Sequence, residues 1–371
     1  MRIGIDARIA RWHTNSKMSN YTNQILTYMQ HIDKENKYLL LFPSEYKKKK
    51  RFDGFRHEIE NNFKKNLWEE ALKTKWEEDV QVDIFHNTAN GIGTPKNGKH
   101  KLVVTIQDLI PYIMPETVNK QHLEYALKYT YDIIENADKI ITVSNHTKKD
   151  LKRYFGLPQE KIDVIYYGID KIFRPMNKQD AQNIIKKRYG IGDKFILHVG
   201  GVNPRKNVAR LIRAFHMIYN ELNEEYKLII LGKPDESFEN MMKLSEKLGI
   251  KEKIVFIDFV QKDVLPFFYN ACEVFVYPSL YEGFGLAPLE AAACGVPIVA
   301  SNTASIPETM GDACVYISPH NIVHMAQEIY DTIMNKDQRE NLSIKAFKQS
   351  KKYSWKKASK ETLKVYKDLM Q

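Results

Sequence analysis

In the stretch Val274-Phe275-Val276-Tyr277-Pro278-Ser279-Leu280-Tyr281-Glu282-Gly283-Phe284-Gly285-Leu286, four apolar residues run unbroken and stop at a proline. Glycines flank Phe284 and a helix carrying Glu290 follows, so the order is strand, glycine-flanked turn, helix N-terminus. Such a junction presents backbone N–H groups and the positive end of a helix dipole, which together suit a phosphate. Gly283 and Gly285 let a ligand approach the backbone closely. Glu282 and Glu290 stand eight residues apart and are placed to line one ligand along its length. A tight turn with a helix-capping carboxylate accounts for the same residues without a ligand.

A second loop carries the same suggestion. The buried strand Phe195–Val199 leads into Gly200-Gly201-Val202-Asn203-Pro204-Arg205-Lys206-Asn207, and a helix begins near Asn207. Arginine offers a planar fork of donors and lysine a point charge, a pairing suited to a diphosphate. Solvated loop cations are the plain alternative. Two phosphate-suited loops on one sheet support each other, because both would serve one ligand.

Outward from these loops, short apolar runs alternate with helical stretches. Strands are expected at Arg2–Asp6, Tyr38–Phe42, Ile84–His86, Leu102–Ile106, Lys139–Val143 and Ile162–Ile165, with helices at Tyr21–His31, His122–Asn136 and Thr147–Tyr154. The second series has strands at Phe195–Val199, Leu228–Leu231, Ile254–Phe256, Val274–Tyr277 and Val296–Ala300. Its helices are Val208–Tyr219, Ser237–Leu248, Val264–Asn270 and Pro288–Cys294. Continuous Val/Ile/Leu/Phe strands without polar alternation belong to parallel sheets covered on both faces, and the alternation argues for βαβ units. Tyr167–Gly192, which holds Gly168, Pro175 and a basic helix ending Lys186-Lys187-Arg188, reads as the linker between two such domains. Doubly wound domains bind ligands at the carboxyl ends of their strands, so a cleft there is expected.

The chain has 371 residues, 56 Lys and Arg against 46 Asp and Glu, and a formal net charge of +10. Its 43% hydrophobic content and 38 Phe and Tyr residues exclude a disordered chain. No apolar run is long enough for a membrane span, and Asp6 interrupts the first apolar run too early for a signal peptide. Cys272, Cys294 and Cys314 form no CxxC pair, which reads as a reduced, cytoplasmic protein without structural zinc. The charge is uneven: +6 over residues 1–50, +5 over 351–371 and −5 over 251–350. Residues 47–76, with Lys47-Lys48-Lys49-Lys50-Arg51, Lys64-Lys65, Leu67-Trp68, Leu72 and Trp76, read as an insertion with an amphipathic helix or as a membrane-surface or acceptor-binding element.

Other patterns argue by their absence or weakness. Gly91-Ile92-Gly93 lacks a third glycine and is no dinucleotide fingerprint. No Walker lysine motif, zinc-protease motif or nucleophile elbow occurs, and there is no Asp-x-Asp pair for a divalent cation. His86, His100 and His198 are scattered singly and read as structural. The basic segment interleaves aromatics too loosely for nucleic acid.

The residues also carry a resemblance. Tyr277–Gly285 with Glu290-Ala291 and Cys294-Gly295-Val296-Pro297 resembles the donor-site signature of retaining glycosyltransferases of family 4. Val199-Gly200-Gly201 with Pro204–Asn207 is similar to that family's phosphate loop, and Pro307-Glu308 with Gly311-Asp312-Ala313 continues the match. So do Val143-Ser144 with Asp150-Leu151, Lys161-Ile162 with Tyr167–Asp170, and Tyr353-Ser354-Trp355 at the start of the last helix. The resemblance runs from Met1 to about Asp368, and is nearest to bacterial mannosyltransferase-like enzymes of polysaccharide assembly.

It implies an α/β chain of the GT-B fold: two Rossmann-like doubly wound parallel-sheet domains facing a cleft. Residues 1–170, with 353–371 packing back on them, would form the acceptor domain, and 171–352 the nucleotide-sugar donor domain. Arg205 and Lys206 would bind the donor diphosphate and stabilise the leaving charge, Glu282 would hold hydroxyls of the transferred sugar, and Glu290 the ribose. Gly200 and Gly201 would border the phosphates, and the backbone at Phe284, Gly285 and Leu286 would face sugar and phosphate. Gln107 and Asp108 would lie on the acceptor side, facing the sugar.

The expected activity is retaining, metal-independent transfer of a hexose such as mannose from a GDP- or UDP-linked donor to a glycan or lipid-linked glycan. The expected place is the cytoplasm at the inner face of the membrane, met through a basic face of the N-terminal domain. Nucleic acid is not an expected partner. Three positions depart from the family: Lys17-Met18-Ser19-Asn20-Tyr21 where relatives carry Gly-x-Gly-Arg-Tyr, Gln107-Asp108 where many have His-Asp, and Gly201 where arginine is common. They motivate the alternative of a weakened enzyme serving as a carbohydrate-binding or partner subunit.

Overall fold

The computed structural model describes residues 1–12, 16–43, 57–63, 81–94, 99–192, 194–222 and 225–371, with residues 11–12, 42–43 and 57–63 described by their backbone. The chain divides into two compact units, Met1–Gly168 with Ser354–Gln371, and Ile169–Tyr353.

The first unit holds seven strands: β1 Arg2–Asp6, β2 Lys37–Pro43, β3 His57–Phe63, β4 Ile84–Asn87, β5 Lys101–Ile106, β6 Lys139–Thr142 and β7 Ile162–Val164. They form one sheet in the order β3-β2-β1-β4-β5-β6-β7, every neighbouring pair parallel. The second unit holds six: β8 Phe195–Val199, β9 Lys227–Leu231, β10 Ile254–Ile257, β11 Val274–Tyr277, β12 Ile298–Ser301 and β13 Val315–Ile317. Their order is β10-β9-β8-β11-β12-β13, again all parallel. Both sheets therefore wind outward in two directions from a central pair, the doubly wound arrangement. Val, Ile, Leu and Phe make up the central strands because helices bury both faces: Ile3, Ile5, Phe85, Val103 and Val104 are fully buried in one sheet, and Ile196, Leu197, Val274 and Phe275 in the other.

Helices begin where a short polar side chain meets the free N–H groups of the first turn. Ser16 accepts from Ser19 N, Asn119 from His122 N, Ser144 from Thr147 N and Asn177 from Asp180 N. Gly156 and Gly190, in left-handed conformation, end two of them.

Three expectations differ. Residues 17–21 are no loop: the Ser16 cap starts the helix Lys17–Ile32 there. The expected linker belongs from Ile169 onward to the second unit: its helix Lys178–Tyr189 buries Ala181, Gln182 and Ile185 and packs on the helix Leu265–Ala271. The basic helix end Lys186-Lys187-Arg188 is present as expected, its cations on the exposed face and last turn. Of the basic insertion, residues 57–63 form strand β3 beside β2 rather than a helix; Lys47–Arg51, Lys64-Lys65, Leu67-Trp68, Leu72 and Trp76 lie outside the described residues.

The last helix, Trp355–Leu369, packs on the helix Lys17–Ile32 of the first unit. Trp355 is 1% exposed and sits with Tyr21 and Tyr167 in one aromatic cluster, centroids 5.4 to 6.1 Å apart. Beneath it, the His86 ring nitrogens meet the Tyr366 hydroxyl at 2.6 Å and the Thr105 hydroxyl at 2.7 Å. Gly168 lies against the start of this helix. A methyl group on it would stand 2.0 Å from the Trp355 backbone nitrogen and 2.5 Å from Trp355 Cγ.

Two outcomes follow from this docking. Gly168→Ala forces backbone apart, so it lowers the first unit's stability by at least ~2 kcal/mol. Gly192→Ala, whose added carbon meets nothing within 4 Å, serves as the comparison; equal melting temperatures for the two variants would refute the contact. The second outcome concerns pH. Burial pushes the His86 imidazole down to about 3, while in the unfolded chain it titrates near ~6.5. The unfolded state alone gains a proton below that pH. Stability conferred by neutral His86 is thus complete above pH ~6.5 and lost as pH falls toward 3, at up to ~1.4 kcal/mol per unit. Denaturant titrations at pH 6.5 and 5 should show wild type losing about 2 kcal/mol more than His86→Gln.

Candidate active site

In the second sheet the winding direction reverses between β8 and β11, which are neighbours. Both phosphate-suited loops leave from the carboxyl ends of these two strands. After β8 come Gly200 and Gly201, a single 3-10 turn Pro204–Lys206, and Asn207 in left-handed conformation at the head of the helix Val208–Ile218. After β11 comes the turn through Glu282, ending at Gly285 with φ 92° ahead of the helix Leu286–Ala293. Glu282 therefore belongs to the turn and Glu290 to the helix.

The two loops meet on one carboxylate oxygen. Glu282 Oε1 accepts from Arg205 Nη1 at 2.6 Å, Lys206 Nζ at 2.5 Å, the Tyr277 hydroxyl at 2.8 Å and Ser279 Oγ at 2.7 Å. Lys206 Nζ also donates to the Tyr277 oxygen at 2.7 Å and lies 4.9 Å from that ring's centroid. Burial and the neighbouring Glu282 raise the Tyr277 phenol well above its usual range, so it stays protonated and remains a donor. Glu282 is 1% exposed and Lys206 4%. Charges so buried persist only when paired and hydrogen-bonded. Here they are.

Close packing sets this geometry. A methyl on Gly200 would stand 3.1 Å from Lys206 Cε, and one on Gly232 only 2.2 Å from Gly201 N; with φ 147° and 138° these are glycine conformations. Arg205 Nη1 also donates to the Tyr281 carbonyl at 2.8 Å, and Leu280 N to the Arg205 carbonyl at 2.8 Å, clipping loop to loop. Asn207 Nδ2 donates to the Pro278 and Pro319 carbonyls at 3.1 and 2.7 Å. Ser305 Oγ holds the Glu282 carbonyl at 2.8 Å. Below the cluster, His198 is fully buried, stacks on Tyr277 at 5.9 Å and donates through Nδ1 to the Val276 carbonyl at 3.0 Å. Burial lowers it to about 4, so its ring is neutral around pH 7.

Two family models divide the chain between them: "Glycosyltransferase Family 4" matches residues 41–171 and "Glycosyl transferases group 1" matches residues 181–349. The chain belongs to the family 4 glycosyltransferases. It is an enzyme of sugar transfer, and that family works on nucleotide-sugar donors. Among similar proteins, the O-antigen chain mannosyltransferase B of Escherichia coli is 29% identical over 267 residues, 72% of this chain and 70% of its own length. The serotype-specific mannosyltransferase WbdA of Escherichia coli is 29% identical over 277 residues, 73% of this chain but only 34% of its own length. This glycosyltransferase thus spans about a third of the second relative. Sucrose-phosphate synthase from Thermosynechococcus elongatus shares the GT-B fold with a TM-score of 0.80 at 18% identity, covering 100% of this chain and 99% of that one.

The remaining residues that the sequence marks as site candidates are spread more widely. Phe284 packs edge-on to Tyr353 at 5.7 Å, Gly285 precedes the helix and Leu286 opens it. Glu290 Oε2 accepts from the Tyr269 hydroxyl at 3.1 Å. Gln107 and Asp108 belong to the first unit. Gln107 is 4% exposed; its Oε1 accepts from the Tyr167 hydroxyl at 2.5 Å and its Nε2 donates to the Thr88 carbonyl at 3.3 Å. Its carboxamide is therefore engaged at both ends within the fold. Asp108 Oδ1 accepts from Ile110 N at 3.2 Å.

Tyr277, Ser279 and Asn207 are contributors to which the sequence reading assigns no individual role, while His198 is structural, as it expects. Tyr277 and Ser279 stand inside the signature itself, beside a carboxylate that would need neutral donors once buried. Among the described residues, no three His, Cys, Asp or Glu are grouped to hold a metal ion.

Proposed function

We propose that this chain transfers a hexose, mannose foremost, with retention of configuration, from a GDP- or UDP-linked donor to a glycan or lipid-linked glycan in polysaccharide assembly. The observation that carries this reading is the convergence of Arg205 and Lys206 on one buried carboxylate at the switch point of the second sheet. The names of the similar mannosyltransferases support the choice of sugar. Arg205 and Lys206 bind the diphosphate, with the N–H groups around Gly200 and Gly201 bordering it. Preorganised cations stabilise the charge that grows on a departing nucleoside diphosphate, and they need no reorganisation at that moment. Glu282 serves the hydroxyls of the transferred sugar, Glu290 the ribose, and the backbone at Phe284, Gly285 and Leu286 lies against sugar and phosphate. No metal is required, since the two cations take the part a divalent ion would play.

Asp108 is assigned to the acceptor side. For Gln107 the engaged carboxamide supports a supporting role, holding Tyr167, over direct contact with sugar. No helix among the described residues is long and apolar enough to cross a membrane. The basic residues Lys47–Lys50, with those of 351–371, support a peripheral contact with anionic lipid at the cytoplasmic face.

Turnover of a nucleotide-sugar panel tests the reading: Lys206→Ala and Glu282→Ala each lose at least ~100-fold in kcat. Either variant keeping full activity, with its melting transition intact, refutes the site. Sedimentation with vesicles rich in anionic phospholipid tests the membrane contact. Binding falls with added salt and on replacing Lys47–Lys50 by serine; binding indifferent to both would contradict it.

A further inference from the structure

We propose that Glu282 governs release of the nucleoside diphosphate product, as an internal anion that competes with it for Arg205 and Lys206. The inference rests on the donor-site reading above and adds a step to it. Both cations reach the same oxygen, Oε1, at 2.6 and 2.5 Å. The side chains of Lys206 and Glu282 are only 5% and 1% exposed, so water screens little of their interaction and each charge counts strongly. With Glu282 ionised, the three groups sum to one positive charge; without it, to two.

A diphosphate drawing on these cations must share them with the carboxylate. Lys206 Nζ divides its donors between Tyr277 and Glu282, and Arg205 Nη1 divides its own between the Tyr281 carbonyl and Glu282. When the sugar leaves, negative charge on the diphosphate grows and the cations follow it, which is what lowers the barrier. The same attraction would then retain the product. Glu282, fixed in place by Tyr277 and Ser279 through neutral hydrogen bonds, restores the original pairing and weakens that hold. Cations strong enough to stabilise the leaving group are kept from becoming a trap for it.

The competition has a signature opposite to that of an ordinary binding residue: removing its charge tightens binding. Calorimetric titration of the full chain with GDP, UDP and inorganic diphosphate measures it for wild type, Glu282→Gln, Glu282→Asp and Lys206→Ala. Glu282→Gln keeps the side chain's shape and should bind inorganic diphosphate, and whichever nucleoside diphosphate the wild type prefers, about tenfold tighter or more. Its melting temperature should drop without anion and recover with diphosphate by more than the wild type gains. Glu282→Asp, charged but one methylene shorter, should show a smaller tightening; it decides the matter if Glu282→Gln fails to fold. Equal or weaker binding in the folded variants overturns the proposal while leaving the donor site standing, provided Lys206→Ala still weakens binding. A wild type that binds none of the three probes overturns the donor-site reading and this proposal with it.

Discussion

A carboxylate that is 1% exposed cannot keep its charge unless the chain surrounds it with donors, and Glu282 is surrounded from two loops. Tyr277 and Ser279 come from its own segment, Arg205 and Lys206 from the loop after β8. That single requirement orders much around it. The β8 loop must turn sharply enough to bring two consecutive cations inward, which the proline-led 3-10 turn and left-handed Asn207 achieve. Gly200 must lack a side chain because Lys206 runs beneath it, and Gly232 must lack one because Gly201 occupies the space. Breaking a buried pair by removing one partner typically costs ~3–5 kcal/mol, so these positions are tied together in stability as well as chemistry.

The first unit shows what the same winding does without that requirement. Its sheet reverses between β1 and β4, and there Arg8 pairs with Asp6 through Nε at 2.9 Å and Nη2 at 2.7 Å. Arg8 also donates to the Gly93 carbonyl at 2.9 Å, and Asn87 Nδ2 to Asp6 at 3.3 Å. Arg8 is 1% exposed. Where the second unit brings two cations to a shared oxygen, the first commits one arginine in a bidentate pair. Topology supplies the place in both; the side chains set there differ in charge and pairing.

How much of this was legible in sequence varied with the physics. Central strands such as Arg2–Asp6, Phe195–Val199 and Val274–Tyr277 stand at their expected limits, because burial on both faces makes apolar residues predominate there. Edge strands β3 and β13 were not foreseen: His57–Phe63 is polar, and Val315–Ile317 is too short to stand out. Arg205, Lys206 and Glu282 were visible as a set because their spacing from strand ends is fixed. Their meeting on one oxygen, and the neutral donors completing it, depended on a contact across 71 to 77 residues that no local pattern records. Gln107 illustrates the same limit. Its position after β5 suggested sugar, whereas its partner Tyr167, 60 residues away, is known only once the chain is folded.

The crossing at Gly168 and Trp355 also bears on how the protein is made. The first unit includes Ser354–Gln371, so on the ribosome its core remains unfinished until that segment emerges. The second unit, continuous from Ile169 to Tyr353, is available to close first. Until then Tyr21 and His86 await their partners Trp355 and Tyr366 on a nascent chain whose helix Trp355–Leu369 is still inside the exit tunnel. The first unit of this molecule is thus begun before the second and completed after it, and a truncation after Tyr353 would leave a closed second unit attached to an open sheet, a natural client for chaperones.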